Sequence, residues 1–321
     1  RSRMGAAGAD NTAALSFGGT PTGADTELWN GTNWTDVADL NTARYQAGGV
    51  GSSNTSALMA GGENPSGPTA VTESWNGSIW TETSDLNLAR DFMGSAGTNT
   101  NSLVYGGEAP SETGATEEWN AGINLGAWYT SGNMNTGRSE LNGAGTQAAA
   151  LAMGGNDNSG PDTAKTESYN GSTWAEVNDL NEARRLAASF GTQTAAIFAT
   201  GTTTSPGLPG ITTAVESWNG YVWTEVNDVN TGLVTRAGLG TSTAGLAVGG
   251  TTGSAVGKTE TWNGTNWSNE NNMSTARKRL AGSGTSTLGL AFGGDASPIS
   301  AATEEWNGTG LVTTTVTTTS D

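Results

Sequence analysis

The chain has 321 residues with 49 Gly, no His and no Cys, and its 30 acidic against 13 basic residues leave a formal charge of −17. Disulfides, Ser-His-Asp and Cys-His nucleophilic sites, and zinc sites built on His or Cys are thereby excluded. The acidic balance repels phosphate backbones, and no apolar run approaches the ~18 residues of a membrane span, so neither nucleic acid nor membrane insertion is expected.

No basic n-region with an apolar h-region opens the chain. It begins on Arg1, and reads as the mature or ordered part of something longer. From there the same unit recurs roughly every 46 residues, the sort of period that marks a repeat architecture. Seven copies follow without a gap: 1–43, 44–89, 90–137, 138–183, 184–232, 233–276 and 277–321. Each predicts four short strands. The first is Gly- and Ala-rich ("AGGVGS", "GAGTQ"). The second is apolar and ends in a Gly pair, as at Gly18-Gly19 and Gly61-Gly62, with Thr200-Gly201 filling the one irregular slot. The third reads "TESWN" and the fourth "WTEV". A Gly-rich strand pairs poorly unless several strands converge where only small side chains fit. Radial repetition of four-stranded sheets about an axis supplies that crowding, and the expected fold is all-β, a single seven-bladed β-propeller of four-stranded blades.

Between the third and fourth strands stands Asn-Gly, as at Asn76-Gly77, the signal for a two-residue type I′ hairpin. That turn would pair Trp75 with Ser78 and Glu73 with Trp80, leaving Trp75 and Trp80 diagonal neighbours on one face. The equivalent pairs are Trp29 with Trp34, Tyr169 with Trp174, Trp218 with Trp223 and Trp262 with Trp267. Such aromatics serve as rigid packing between blades and not as a ligand site. Copy three stretches its hairpin, so that Trp119 is answered by Trp128. Copy seven keeps Trp306 but has Leu311 where the fourth-strand Trp belongs, followed by a Thr/Val-rich tail suited to an outer strand. The chain starts at the head of one copy and ends at the tail of another, which predicts closure without a strand borrowed from the other terminus. "Asn-Gly-Thr/Ser" at Asn30, Asn76, Asn170, Asn263 and Asn307 matches a glycosylation sequon, but the turn already accounts for it.

The Gly pair ending strand two, the aromatic near the end of strand three and the Trp opening strand four resemble kelch repeats, in a shortened variant covering the whole chain. The compact phrase "TESWNGxxWTEVNDLNTAR" more specifically resembles kelch-like repeats of structural proteins in marine bacteriophages. That resemblance implies a virion component, tail-fibre-like, without enzymatic activity or cofactor. The copper chemistry of galactose oxidase, a kelch-propeller enzyme, needs His and Cys and does not carry over.

Two charged series run with the repeat. Arg1, Arg44, Arg90, Arg138, Arg184 and Arg277 precede the innermost strand, near one mouth of the channel. As a guanidinium ring they would suit an anionic ligand or a carboxylated sugar. The favoured reading is structural: each pairs with a recurring acid and ties neighbouring blades together. Copy six departs, with Leu233 in the Arg position and Arg236 three residues later. Those acids are the repeated Glu or Asp, and among them Glu27, Glu73, Glu118, Glu167, Glu216, Glu260 and Glu305 recur once per blade, which favours a structural over a catalytic role.

The strand-two to strand-three connections vary most: 20–25, 63–71, 108–115, 156–165, 202–214, 251–257 and 295–302. Either these loops differ because nothing constrains them, or they carry recognition, which concentrates in variable loops on a rigid scaffold. The longest carries Pro206 and Pro209, which stiffen it. The loop "GGNDNSGPD" gathers Asp157 and Asn158 as possible ligand contacts, although its spacing is an Asx-rich turn and not a Ca²⁺ loop. The expected partners are other virion proteins or a host cell-surface glycan or protein, and the expected location is the virion surface. A secreted or surface-attached bacterial adhesin or lectin, or a carbohydrate-active propeller enzyme, are the alternatives.

Overall fold

The computed structural model describes residues 2–21, 23–121, 127–157, 162–204, 210–308 and 315–316. Each copy of the repeat folds into one four-stranded antiparallel sheet, and seven such sheets stand in a ring as a β-propeller, with no helix among the described residues. In blade 2 the strands run from the axis outward as Gly48–Ser53, Ser56–Ala60, Thr72–Trp75 and Trp80–Glu82. Inner strands touch in cyclic order, and that of blade 7, Ala281–Gly284, returns to that of blade 1, Gly5–Asp10. Every blade draws its four strands from one contiguous stretch. The outer strand of blade 7, Thr315–Val316, comes from the Thr/Val-rich tail. Leu311 lies outside the described residues.

The inner strands are Gly-rich because they crowd. A Cβ on Gly5 would stand 2.3 Å from the Phe17 ring, and one on Gly51 would stand 2.6 Å from the Cβ of Ala7 in the neighbouring blade. The Gly pair has a different cause. Gly61 and Gly62 both take positive φ, 61° and 101°, a backbone conformation that L side chains rarely adopt. In that conformation the Gly62 N–H reaches across the seam to the Arg90 carbonyl of blade 3 at 2.9 Å. Thr200 occupies the same left-handed conformation at φ 66° despite its branched side chain.

The core is divided among the seams. Seven buried clusters each lie between two blades. That of blades 1 and 2, for example, joins Leu15 and Phe17 to Met59, Trp75 and Trp80. No single sheet could bury its faces alone, which is why the motif must repeat around the ring.

The hairpins differ from the expected type. Trp75 lies directly opposite Trp80, Ser74 opposite Thr81 and Glu73 opposite Glu82. The loop therefore has four residues, 76–79, and is not a two-residue type I′ turn. Its cause is the Asn76 side chain, whose Oδ1 accepts from the N–H groups of both Ser78 and Ile79 at 3.0 Å, while only Gly77 takes positive φ. The paired rings consequently pack more closely than diagonal neighbours would. Their centroids are 5.6 Å apart for Trp75–Trp80 and for Trp29–Trp34, and 5.8 Å for Trp119–Trp128 across the stretched hairpin. Tyr169–Trp174, Trp218–Trp223 and Trp262–Trp267 repeat the arrangement.

Candidate functional site: the channel mouth and its loop face

The tryptophans, Trp267 excepted, have a second task besides packing. The third-strand indole donates to a carbonyl in the first hairpin of its own blade, as Trp75 does to Asn54 at 3.0 Å and Trp306 to Ser286 at 2.8 Å. The fourth-strand indole donates across the seam to a threonine hydroxyl of the preceding blade. Trp80 reaches Thr26 at 2.8 Å, Trp128 reaches Thr72 at 2.9 Å, and Trp34 closes the ring on Thr303 at 2.5 Å. These rings are consumed in the scaffold.

The arginines are likewise inside. Arg44, Arg90, Arg138, Arg184 and Arg277 are wholly buried and do not line the channel. Each pairs with an acid two residues before the third-strand aromatic, as Arg138 does with Glu167 at 3.0 Å and Arg184 with Glu216 at 2.6 Å. The same carboxylate gathers the incoming chain: Glu73 pairs with Arg44 and accepts from the backbone N–H groups of Asn41 and Thr42. The pair thus lies within one blade and fastens the connection arriving from the previous one. Burial lowers the basicity of Arg44, Arg138 and Arg277, and takes that of Arg90 down to about 10 against the raising influence of Glu117. Arg90 stays charged at neutral pH.

Two partners differ from the expected series. Arg90 meets Glu117, not Glu118, at 3.2 Å, and Arg277 meets Glu304, not Glu305, at 3.0 Å. Strand alternation is the reason: in "TEEW" only the first Glu shares the face of the Trp. Glu118, on the other face, instead accepts from the Tyr169 hydroxyl of blade 4 and from Gln147 Nε2 at 2.7 Å. Burial raises the affinity of Glu305 for its proton. In blade 6, Leu233 is fully buried in the place of the Arg, and Arg236 reaches Glu260 from its shifted position at 3.3 Å.

Two residues beyond the arginine, the chain meets the axis. Arg3, Gln46, Phe92, Glu140, Leu186, Thr235 and Arg279 all sit in the left-handed region, with φ between 51° and 57°. Left-handed backbone is costly for any residue with a Cβ, roughly 1–2 kcal/mol. Part of the compensation is a belt of backbone hydrogen bonds from blade to blade: Gln46 to Arg3, Phe92 to Gln46, Thr235 to Leu186 and Arg279 to Thr235, at 3.0–3.2 Å. The seven side chains rim a cavity of 460 Å³ floored by Met4, Met93 and Leu141.

The roots of the variable loops stand beside this rim. In every blade the residue after the arginine position bridges the residue after the Gly pair: Tyr45 with Glu63, Asp91 with Glu108, Arg185 with Thr202, Lys278 with Asp295. In blade 2 the loop continues as a small hairpin, Glu63–Asn64 with Gly67–Pro68. The mouth and the variable loops therefore share one face, and the constant Asn-Gly turns lie at the other end of the strands. The charges on the loop face are sorted. Acids collect on blades 2 and 3, where burial, then Glu63 and Glu108, raise Asp91 to about 6. Arg3, Lys278 and Arg279 stand on blades 7 and 1.

Of the residues singled out on the loops, Asp157 is half-buried and follows Asn156, which donates to Asp162 at 3.3 Å. Asn158, Pro206 and Pro209 lie outside the described residues. No group of three or more metal-ligating side chains occurs among the described residues. The mouth ring was not legible from sequence. Its one signal is a position two residues beyond the arginine slot that carries six residue types in seven copies.

No protein-family model and no curated protein matches the sequence. Among solved structures the chain is similar to the structure of YjhT, with 14% identity and a TM-score of 0.62, over 84% of this chain and 98% of that one. At that identity the likeness concerns the fold.

Proposed function

We propose that the protein is a non-enzymatic recognition module, a kelch-like propeller of a bacteriophage virion, in a tail fibre or an adjoining decoration. It uses the face formed by the channel mouth and the strand-two to strand-three loops. The observation that carries this reading is the split between constant and variable positions. Tryptophans, Gly pairs and Arg–Glu pairs recur blade after blade inside the scaffold, while the positions that vary from blade to blade emerge together on one face. A near-symmetric ring offers seven similar surfaces, and only the differing ones can prefer one partner. The recurring glutamates favour binding over hydrolysis, because Glu73, Glu117, Glu167, Glu216, Glu260 and Glu304 are each buried against an arginine. The virion assignment rests on the resemblance of the repeat phrase to phage structural proteins.

The test is loop exchange in the assembled particle. Replacing 202–214 and 156–165 together with the short loop of blade 1 is expected to leave folding intact, since closure entropy depends weakly on loop length. Attachment to host cells or incorporation into particles should fall. Unchanged attachment and incorporation would reduce the propeller to a spacer. Finding the protein in cell-envelope fractions and not in purified virions, by mass spectrometry, would favour a surface adhesin.

A further inference from the structure

The basic residues of this acidic protein are unevenly spent. Six of the 13 are buried in the ion pairs of the blades: Arg44, Arg90, Arg138, Arg184, Arg236 and Arg277. Lys165 and Lys258 stand beside third strands, bonded to Thr136 and Asn269. The other described ones, Arg3, Arg185, Lys278 and Arg279, all stand at or beside the channel mouth. Arg185 is neutralised there by Glu140 and Asp162. The group on blades 7 and 1 is not. Arg3 meets only the neutral Gln46 side chain, at 3.3 Å, and has no carboxylate partner among the described residues. Lys278 and Arg279 share one carboxylate, Asp295, each at 3.7 Å. Three cations against one acid leave an excess of positive charge on this arc.

We propose that the channel mouth binds a small ligand through an oxyanion, a carboxylate or a sulfate ester, held by Arg3 and Arg279. This deepens the recognition reading above and rests on it. Both arginines line the same 460 Å³ cavity, a volume in the range of small-ligand sites. The planar fork of arginine matches oxyanions in two-point fashion, which Lys does not. Their backbones are fixed by the left-handed belt, so little main-chain entropy is lost on binding. Phe92 and Leu186 offer apolar area on the same rim, and Phe92 is 37% exposed. The acids Glu63, Asp91 and Glu108 beside blades 2 and 3 repel a second negative group. They favour a ligand with one anionic end and hydroxyl or ammonium donors at the other, and they disfavour a polyanion.

Calorimetry with the whole chain tests this, using glucuronate, galactose 6-sulfate and glucose as probes. At least one of the two anions is expected to bind, more weakly as salt rises, with glucose silent at the same concentration. Which anion binds decides between carboxylate and sulfate ester. The double variant Arg3→Gln/Arg279→Gln should weaken binding about tenfold or more, the scale of a lost charge-assisted contact. Gln is tolerated at this backbone conformation, because Gln46 already adopts it at φ 57°. Arg279→Gln alone, at a side chain 45% exposed, gives a partial loss without risk to the fold. Lys165→Gln/Lys258→Gln should bind as the unaltered protein does. Three outcomes would overturn the proposal: anions no better than glucose, full binding in the double variant, or equal loss in the lysine control. The loop exchange has a separate readout, so attachment that survives it defeats the recognition reading while leaving the calorimetry to decide this site.

Discussion

The seam between blades 1 and 2 and the seam between blades 5 and 6 are built to one plan and executed differently. At the first, the Trp80 indole finds Thr26, the Gly19 N–H reaches the Arg44 carbonyl at 3.0 Å, and Arg44 lies wholly buried against Glu73. At the second, all three features change. Val215 stands where the threonine belongs, and the Trp267 indole N–H has no acceptor among the described residues. Thr200 replaces the first Gly of the pair and leaves its own buried hydroxyl without a partner. Leucine and arginine have exchanged places, yet the ion pair survives through Arg236 and Glu260, both buried. The difference separates what the seam requires from what it merely uses. A carboxylate that gathers the incoming backbone is kept even when its cation must come from elsewhere. The indole–hydroxyl bond is given up.

The largest effect therefore belongs to the carboxylate, at either seam. Glu73→Ala strands a buried guanidinium and the N–H groups of Asn41 and Thr42, and Glu260→Ala does the same to Arg236 and Asn230. Each is expected to cost about 3–5 kcal/mol, the scale of breaking a buried pair from one side. Equilibrium denaturation of both variants measures it; a loss below ~1 kcal/mol at the blade 6 site would mean that the displaced arginine is ornamental. Next come the fourth-strand aromatics. Trp80→Ala should cost about 3–5 kcal/mol as a truncated core aromatic. Trp267→Ala should cost about 1 kcal/mol less, because it removes no hydrogen bond and abolishes an unsatisfied one. Equal losses would show that the indole–threonine bond contributes nothing beyond the ring itself.

These contrasts also explain how far the sequence could be followed. Strand order, blade count and the aromatic pairs were legible because each is a local signal written repeatedly, so an irregular copy such as Thr200-Gly201 did not obscure the rest. The register of the hairpin was not. Asn-Gly is equally the start of a two-residue turn and of a loop closed by the Asn side chain, and only the hydrogen bonds of Asn76 distinguish them. The ion pairs were legible as a series, but in "TEEW" the choice between Glu117 and Glu118 depends on which face of the strand turns inward. The mouth ring was invisible for a stronger reason. Left-handed backbone is announced in sequence by Gly or Asn, and here Arg3, Phe92, Leu186 and the others adopt it because the surrounding ring imposes it.

Restoring the blade 5 seam to the common plan should stabilise the protein in two smaller steps. Thr200→Gly removes roughly 1–2 kcal/mol of left-handed strain and a buried unpaired hydroxyl, offset by roughly 0.5–1 kcal/mol of glycine's chain entropy. A net gain of about 1 kcal/mol is expected, read as a raised denaturation midpoint at unchanged slope. No gain would mean that the backbone there is relaxed by its neighbours.

Val215→Thr is the finer probe, because it changes one methyl into one hydroxyl. Val215 is fully buried and its position matches Thr26, Thr72, Thr116 and Thr166, whose hydroxyls accept the fourth-strand indoles. The new hydroxyl would accept from Trp267 Nε1. Its own proton has a place as well. Thr72 Oγ1 in blade 2 donates to the Ala70 carbonyl at 3.4 Å, and the corresponding carbonyl in blade 5 is that of Thr213. Burying a hydroxyl in place of a methyl forfeits about 0.8 kcal/mol of transfer energy, while satisfying a buried donor recovers about 1–3 kcal/mol. The balance is a gain of roughly 0.2–2 kcal/mol. The reverse change, Thr72→Val, leaves the Trp128 indole unpaired and should cost about 1 kcal/mol. In a Val215→Thr/Trp267→Phe double-mutant cycle the gain should vanish, since phenylalanine has no N–H to offer. A gain that persists with phenylalanine would place the stabilisation in the strand backbone and not in the seam.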